Sequence, residues 1–310
     1  MQSNALPLIS IVTPSYNQAQ YLEETILSVL NQDYPNIEYI VIDGGSTDGS
    51  VDLIRKYADR LAYWVSEPDR GQAEAINKGL GRCTGDIFNW LNSDDVLTPD
   101  ALRKVALACQ PSYQPAILYG LARHIDEHGN DLGYCPAQSS KMTLQKLLWI
   151  GKYYMIQPAT FLPLSEVCRV NGVNASLSYA MDVDLWARLG LPMIYLPSVL
   201  ALYRLHHASK TVSASTRFMG EVELILQESA SNDLLSEAQA RSRARLFAAR
   251  THILPEARNY RAAVMNAYEA VKAEPANSLE ALFVLLKGVV RLVVGEKLWS
   301  KGRAFYASMR

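Results

Sequence analysis

The chain is poor in the features that would place it in several large functional classes. Its four cysteines, Cys83, Cys109, Cys135 and Cys168, are widely spaced and include no C-x-x-C pair. That excludes a zinc knuckle and a disulfide framework and suits a reducing compartment. Excess charge is absent too: 30 Lys and Arg stand against 31 Asp and Glu. No basic surplus argues for nucleic acid as a partner. No stretch reaches about 18 uninterrupted apolar residues, the length a membrane span needs. The nearest candidate, Leu282 to Val294, is interrupted by Lys287 and Arg291. Met1 to Pro7 lacks a basic segment leading into an apolar one, so no signal peptide is predicted and a cytoplasmic location is expected.

What is present is an ordinary globular balance, 49% apolar and 20% charged over 310 residues, enough for one domain and an appendage. In the first hundred residues short apolar strands alternate with amphipathic helices. Strands are predicted at Leu8 to Thr13 (stopping at Pro14), Glu38 to Ile42, Ala62 to Ser66 and Asp86 to Leu91. Helices are predicted at Tyr21 to Leu30, Val51 to Tyr57 and Gln72 to Leu80. Thr98-Pro99-Asp100 opens a further helix with Thr98 as N-cap. Such alternation predicts an α/β fold, a mostly parallel sheet with helices on both faces and ligands at the carboxyl ends of its strands. The polar clusters after strands one, two and four all fall on that edge.

From Ala116 to Leu132 an extended run with a turn at His128-Gly129-Asn130 predicts an added hairpin or mixed strands. Met181 to Leu189 reads as a helix and Val199 to Leu205 as a strand. After Ser213 only helical patterns remain, broken near Pro255 and Pro275. The expected division is therefore residues 1–212 and 213–310.

The acidic turn Asn92-Ser93-Asp94-Asp95 is the most chemically suggestive element. Adjacent carboxylates at a strand end repel unless a proton or cation lies between them, and their oxygens suit Mg²⁺ or Mn²⁺ completed by phosphate and water. Taken alone the tetrapeptide reads first as an ordinary turn capping the next helix; its context reverses that. Thr13-Pro14-Ser15-Tyr16-Asn17, Ile42-Asp43-Gly44-Gly45-Ser46-Thr47-Asp48, Ser66-Glu67-Pro68-Asp69-Arg70-Gly71 and Asn92-Ser93-Asp94-Asp95 follow in this order. Together they resemble the family 2 glycosyltransferases of GT-A fold, over roughly Leu8 to Lys210.

The resemblance implies a donor site for a nucleotide sugar, with a UDP-sugar expected. Thr13, Pro14 and Tyr16 would line the base pocket, Asp43 would accept from the uracil ring, and Arg70 would lie beside the base. Asp94 matches the metal-binding aspartate of the D-x-D motif, with Asp95 as a second candidate. Asn92 departs from the family's first aspartate; it can bond a ribose hydroxyl, beside Ser93, but leaves one negative charge fewer. Asn77, on the helix opening beside the nucleotide, is a further polar candidate.

Asp182, in Met181-Asp182-Val183-Asp184, aligns with the family's general base, although Met181 replaces the acid that usually precedes it. A carboxylate is needed there because a sugar hydroxyl attacks poorly until its proton is taken. One base and in-line attack imply inversion, the ion offsetting charge on the departing diphosphate. Near Tyr203-Arg204-Leu205-His206-His207, His206 holds the position of a histidine that meets the metal, and Arg204 and Lys210 could neutralise phosphate. Gln157 and Trp186 would shape the acceptor side, for a glycan or lipid-linked glycan hydroxyl.

The implied activity is hexosyl or N-acetylhexosaminyl transfer. The alternatives are a sugar nucleotidyltransferase, against which the lack of a glycine-rich loop after strand one weighs, and a non-catalytic sugar-nucleotide-binding scaffold. Tyr260 to Pro275 resembles half of a tetratricopeptide-like helix pair, too little for a solenoid. Leu279 to Trp299, followed by Lys301, Arg303 and Arg310, could lie in a membrane interface at the inner face of the cell membrane, pack internally or join a second protomer.

Overall fold

The computed structural model describes residues 6–109, 114–135, 140–149, 155–207, 215–232, 234–252 and 259–294. The chain forms two compact units, Met1–Leu148 with Lys152–Ala214, and Trp149–Gly151 with Ser215–Arg310.

The first unit is built on a mixed sheet. Its strands are β1 (Ile9–Ser15), β2 (Ile37–Asp43), β3 (Tyr63–Ser66), β4 (Ile87–Trp90), β5 (Val96–Leu97), β6 (Ile117–Ile125), β7 (Asp131–Tyr134), β8 (Thr160–Pro163) and β9 (Met193–Arg204). They lie in the order β3-β2-β1-β4-β8-β6-β9-β5, with β7 beside β6. β3, β2, β1 and β4 are parallel. β8 then runs antiparallel to both β4 and β6, and β9 lies parallel to β6. Every residue of β1 is buried, which follows from its central place and from helices covering both faces.

The helices of this unit are α1 (Ala19–Leu30), α2 (Ser50–Lys56), α3 (Gln72–Leu80), α4 (Ala101–Ala108), α5 (Leu144–Leu147), α6 (Leu164–Arg169) and α7 (Met181–Leu189). On α1, Leu22, Ile26 and Val29 recur at helical spacing and enter the core with Ile9, Ile11 and Val41. The parallel strand ends align: Ser15 lies opposite Asp43, and Asp43 opposite Ser66. One edge of the sheet therefore collects the polar loops.

Two local expectations need correction. β1 continues through Pro14 instead of stopping there. Val12 turns its carbonyl toward Leu91 on the β4 side, and by strand alternation Pro14 turns its nitrogen the same way. β4 pairs only as far as Val12, so the missing N–H leaves no bond unmade. Thr98 is not an N-cap: its hydroxyl donates to the Val199 carbonyl and its N–H to Leu200, extending the β5–β9 pairing. The cap is Asp100, held at a positive φ of 62°. Gln157-Pro158-Ala159-Thr160-Phe161 is a 3₁₀ turn entering β8, and Phe161 is core.

The second unit contains α8 (Ser215–Ser231), α9 (Glu237–His252), α10 (Tyr260–Ala273) and α11 (Ser278–Val294). Ala263, Ala267 and Ala270 share one face of α10 and pack with Leu246, Ala281 and Val284; small side chains let these helices approach closely. Asn277 donates to the Ser242 hydroxyl, which donates to the Ala270 carbonyl. Among the described residues no helix is long and apolar enough to cross a membrane. Lys210, Pro255, Lys297, Lys301, Arg303 and Arg310 lie outside the described residues.

Candidate active site

The loop after β2 is organised by Asp43. Its carboxylate is fully buried; Oδ2 accepts from the N–H groups of Gly45 (3.0 Å) and Ser46 (2.8 Å) and from the Ser66 hydroxyl (2.7 Å), and Oδ1 accepts from the Ser46 hydroxyl (2.5 Å). Asp43 thus ties the ends of β2 and β3 to the loop between them. The neighbouring turn is stitched on by Asn17, at φ 51°: its N–H donates to the Ser46 hydroxyl and its Oδ1 accepts from Thr47.

Around this loop, Thr13 is buried with its hydroxyl 3.0 Å from that of Tyr39. Tyr16 stands on the rim, 62% exposed, its ring available for stacking. A Cβ on Gly44 would come within 2.8 Å of the Asp69 carboxylate, so the loops after β2 and β3 touch there. Arg70 points outward, 87% of its side chain exposed, and its Nε donates to Glu74 at 2.6 Å.

The acidic turn follows β4. Asp94 Oδ2 lies 3.0 Å from His206 Nε2. Asp95 faces inward and is 1% exposed; it accepts from the Arg204 N–H (3.0 Å) and the Asn92 amide (3.1 Å). Burial, reinforced by the negative charge of Asp94, holds its carboxyl well above the usual range. Ser93 is buried.

Arg204 occupies a different place from the phosphate-facing one expected of it. Its guanidinium is buried, donating to the Asp94 carbonyl (2.9 Å), the Asp126 carbonyl (3.1 Å) and Glu24 (2.5 Å). The Tyr21 ring lies between Arg204 (4.9 Å to the guanidinium carbon) and His206 (5.0 Å between ring centres). Tyr21 and Glu24 sit one helical turn apart on α1 and thereby brace the histidine and the turn together. Nothing in their local sequence marks them; only their proximity to Arg204 does.

Asp182 lies half-buried in the first turn of α7, with the Val183 N–H donating to its Oδ1 at 2.8 Å. Asp184 is buried against Arg188, which also donates to the Val170 and Gly172 carbonyls. Gln157 sits beneath the acidic turn, its Nε2 donating to the Trp90 carbonyl at 2.6 Å. Trp186 is core, 1% exposed, and its indole N–H has no hydrogen-bond partner among the described residues. Asn77 spends both ends of its amide on the Val173 backbone, donating to the carbonyl at 2.7 Å and accepting from the N–H at 2.9 Å. It brackets α3 to the loop before α7.

Asp94 and His206 are the two expected ion ligands that the structure brings into contact. Among the described residues no three His, Cys, Asp or Glu side chains cluster to hold one. The carboxylate oxygen suits Mn²⁺ or Mg²⁺ when a diphosphate and water supply other ligands, and an imidazole nitrogen beside it fits Mn²⁺ better than Mg²⁺.

Known proteins agree with this architecture. Residues 10–143 match the profile of Glycosyl transferase family 2. The chain is 32% identical over 219 residues to an uncharacterised glycosyltransferase of Rickettsia typhi, covering 69% of each chain. Among solved structures, it resembles S. aureus TarS 1-349 in complex with UDP-GlcNAc, at TM-score 0.64 and 17% identity, over 95% of this chain and 92% of that one. It also resembles the mannosyltransferase PcManGT of Pyrobaculum calidifontis in complex with GDP-Man and Mn²⁺, at TM-score 0.58 and 18% identity, over 94% and 89%.

Proposed function

Because the chain belongs to glycosyltransferase family 2, we propose that it moves a hexosyl or N-acetylhexosaminyl group, with inversion, from a UDP-sugar to a hydroxyl of a glycan or lipid-linked glycan. The observation that carries this reading is the meeting of Asp94 and His206 at 3.0 Å, at the edge where the loops after β1, β2 and β3 also end.

In this reading the exposed Tyr16 ring is the surface against which the base stacks, with Thr13 and Pro14 behind it in β1. Asp43 holds the loop that closes over it, and Arg70 turns from Glu74 toward the base when donor arrives. Asn92 and Ser93 face the ribose. A divalent ion held by Asp94 and His206 would supply electrostatic stabilisation for the departing diphosphate. Asp182 takes the proton of the acceptor hydroxyl as its oxygen bonds to the anomeric carbon and the bond to the diphosphate oxygen breaks. Gln157 lies on the acceptor side of the turn. Asn77 and Trp186 support the fold around the site rather than contacting substrate.

The test is Asp182→Asn. The expected result is a loss of transfer of about 10²- to 10⁴-fold, the worth of general base catalysis, with Mn²⁺-dependent UDP binding by calorimetry retained. Unchanged turnover would remove Asp182 from the role of base.

The second unit carries a contact surface in this proposal. Leu279, Leu282, Phe283 and Leu286 recur on one face of α11, each more than half exposed, and their spacing matches a helix laid on a lipid surface or on a second copy of the chain.

A further inference from the structure

Three amide side chains from three separate elements meet beneath the acidic turn. Gln72, the first residue of α3, donates from Nε2 to Asn92 Oδ1 at 2.6 Å. Asn92 Nδ2 donates to Asp95 Oδ2 at 3.1 Å and faces Gln157 Oε1 at 3.5 Å. Gln157 Nε2 donates to the Trp90 carbonyl at 2.6 Å.

The direction of every link follows from one end. The Trp90 carbonyl can only accept, so Gln157 must present its NH₂ there and its oxygen to Asn92. Asn92 must then present its NH₂ to Gln157 and Asp95, leaving its oxygen for the Gln72 NH₂. A carboxylate at position 92 would set an oxygen against Gln157 Oε1 with no proton between them, and would put a second acid against Asp95, itself 1% exposed, where Asn92 now donates an N–H. Burial makes such contacts costly.

We propose that the amide at position 92 is required by this relay, and that Gln72 and Gln157 are positioning residues of the donor site. Together they aim Asn92 Oδ1, which keeps one lone pair for a ribose hydroxyl, and tie the start of α3 to the 3₁₀ turn before β8. Asn92 is thus not a vacated metal-ligand position, and cation binding by the turn falls to Asp94 with His206. This rests on the donor-site reading above.

The experiment titrates UDP with Mn²⁺ into the full chain by calorimetry and records thermal unfolding for wild type, Asn92→Asp, Gln72→Glu and Gln72→Lys. If the relay holds, Asn92→Asp lowers the melting temperature by several degrees and weakens Mn²⁺-dependent UDP binding at least fivefold. Gln72→Glu, similar in shape but an acceptor where a donor is needed, weakens binding at least tenfold. Gln72→Lys, which keeps a donor, stays within about threefold of wild type. A purely structural role for Gln72 would not separate the last two.

Tighter UDP binding or an unchanged melting temperature in Asn92→Asp would overturn the proposal, as would equal affinities for the two Gln72 variants. Wild type that binds no UDP with either Mn²⁺ or Mg²⁺ would instead overturn the donor-site reading, and the relay would then stand or fall on the melting temperatures.

Discussion

His206 Nε2 and Asp94 Oδ2 meet at 3.0 Å although 112 residues separate them in the chain. His206 follows β9 and Asp94 follows β4, strands that are not neighbours in the sheet. The distance is held by Arg204, whose backbone N–H reaches Asp95 and whose side chain reaches the Asp94 carbonyl. This pair is the hinge of the functional proposal and gives the first prediction. His206→Ala is expected to weaken Mn²⁺-dependent UDP binding by about 10- to 100-fold, the usual scale of losses around a metal site. Binding of UDP without metal is expected to change little, and calorimetry with and without Mn²⁺ measures both.

Arg204 is a stability residue in this view. Arg204→Met retains much of the apolar stem but strands the Asp94 and Asp126 carbonyls and releases Glu24. Two under-satisfied, part-buried carbonyls predict a loss of about 2 kcal/mol, read from urea denaturation. Glu24 is more than half exposed, so Glu24→Gln is expected to cost less.

Two glycines should respond oppositely to alanine. At Gly79, on α3, a Cβ would lie 2.4 Å from Val12 Cγ1; overpacking against β1 predicts a loss of about 1–3 kcal/mol. At Gly220, inside α8, a Cβ meets nothing within 4 Å. There the helix propensity of alanine predicts a gain of roughly 0.5–1 kcal/mol. Thermal unfolding of each variant is the check.

The cysteines should divide by burial. Burial pushes the thiols of Cys83 and Cys135 up to about 12, whereas Cys168 is exposed. At pH 8 only about 10⁻⁴ of either raised thiol is thiolate, the reactive form. Native protein should therefore label at Cys168 with a maleimide, and at Cys83 and Cys135 only after unfolding. The sign for stability follows from proton binding. Above about pH 8.5 the unfolded thiols lose protons that the folded ones keep, so their contribution to stability is full below that pH and declines as pH climbs toward 12. Replacing Cys83 by Ser should flatten that decline in unfolding curves recorded from pH 8 to 10.

The exposed face of α11 is tested by flotation of the full chain with vesicles containing anionic lipid, alongside light scattering. Leu282→Glu with Leu286→Glu should reduce flotation severalfold if the face meets lipid, or shift the scattering mass if it meets a second copy. A protein unaffected in both would leave α11 without a role as a contact surface.

Much of the fold can be read from the local pattern. Ile9 to Val12 and Ile40 to Ile42 are β-branched and apolar at central strand positions, and Leu22, Ile26 and Val29 mark the buried stripe of α1. These signals are local because a strand's alternation and a helix's period repeat within a few residues. The hairpin of β6 and β7 was equally legible, with its turn at Gly129, held at a positive φ of 83°. Less legible were β5, with two residues, and β8, with four; segments so short carry too few periods to stand out. Thr98 misled for a related reason. A threonine before proline looks like a cap until a distant carbonyl, that of Val199, takes its hydroxyl.

Sequence by itself determined the residue types at the sheet edge: Asp43, Asn92, Asp94, Asp182 and His206, in an order that already resembled one family. Which of them face one another was decided only by the tertiary structure. Asn77 and Trp186 have the chemistry of site residues, yet Val173 occupies the one and the core engulfs the other. Arg204 has the charge for phosphate but lies beneath the turn that it holds. Gln72, unremarked in its own helix, orients Asn92 across 20 residues. The reason is physical: a side chain's identity sets which bonds it can make, while its partners come from strands and helices far along the chain. The pairing of a donor with an acceptor exists only once the sheet has brought them within about 3 Å.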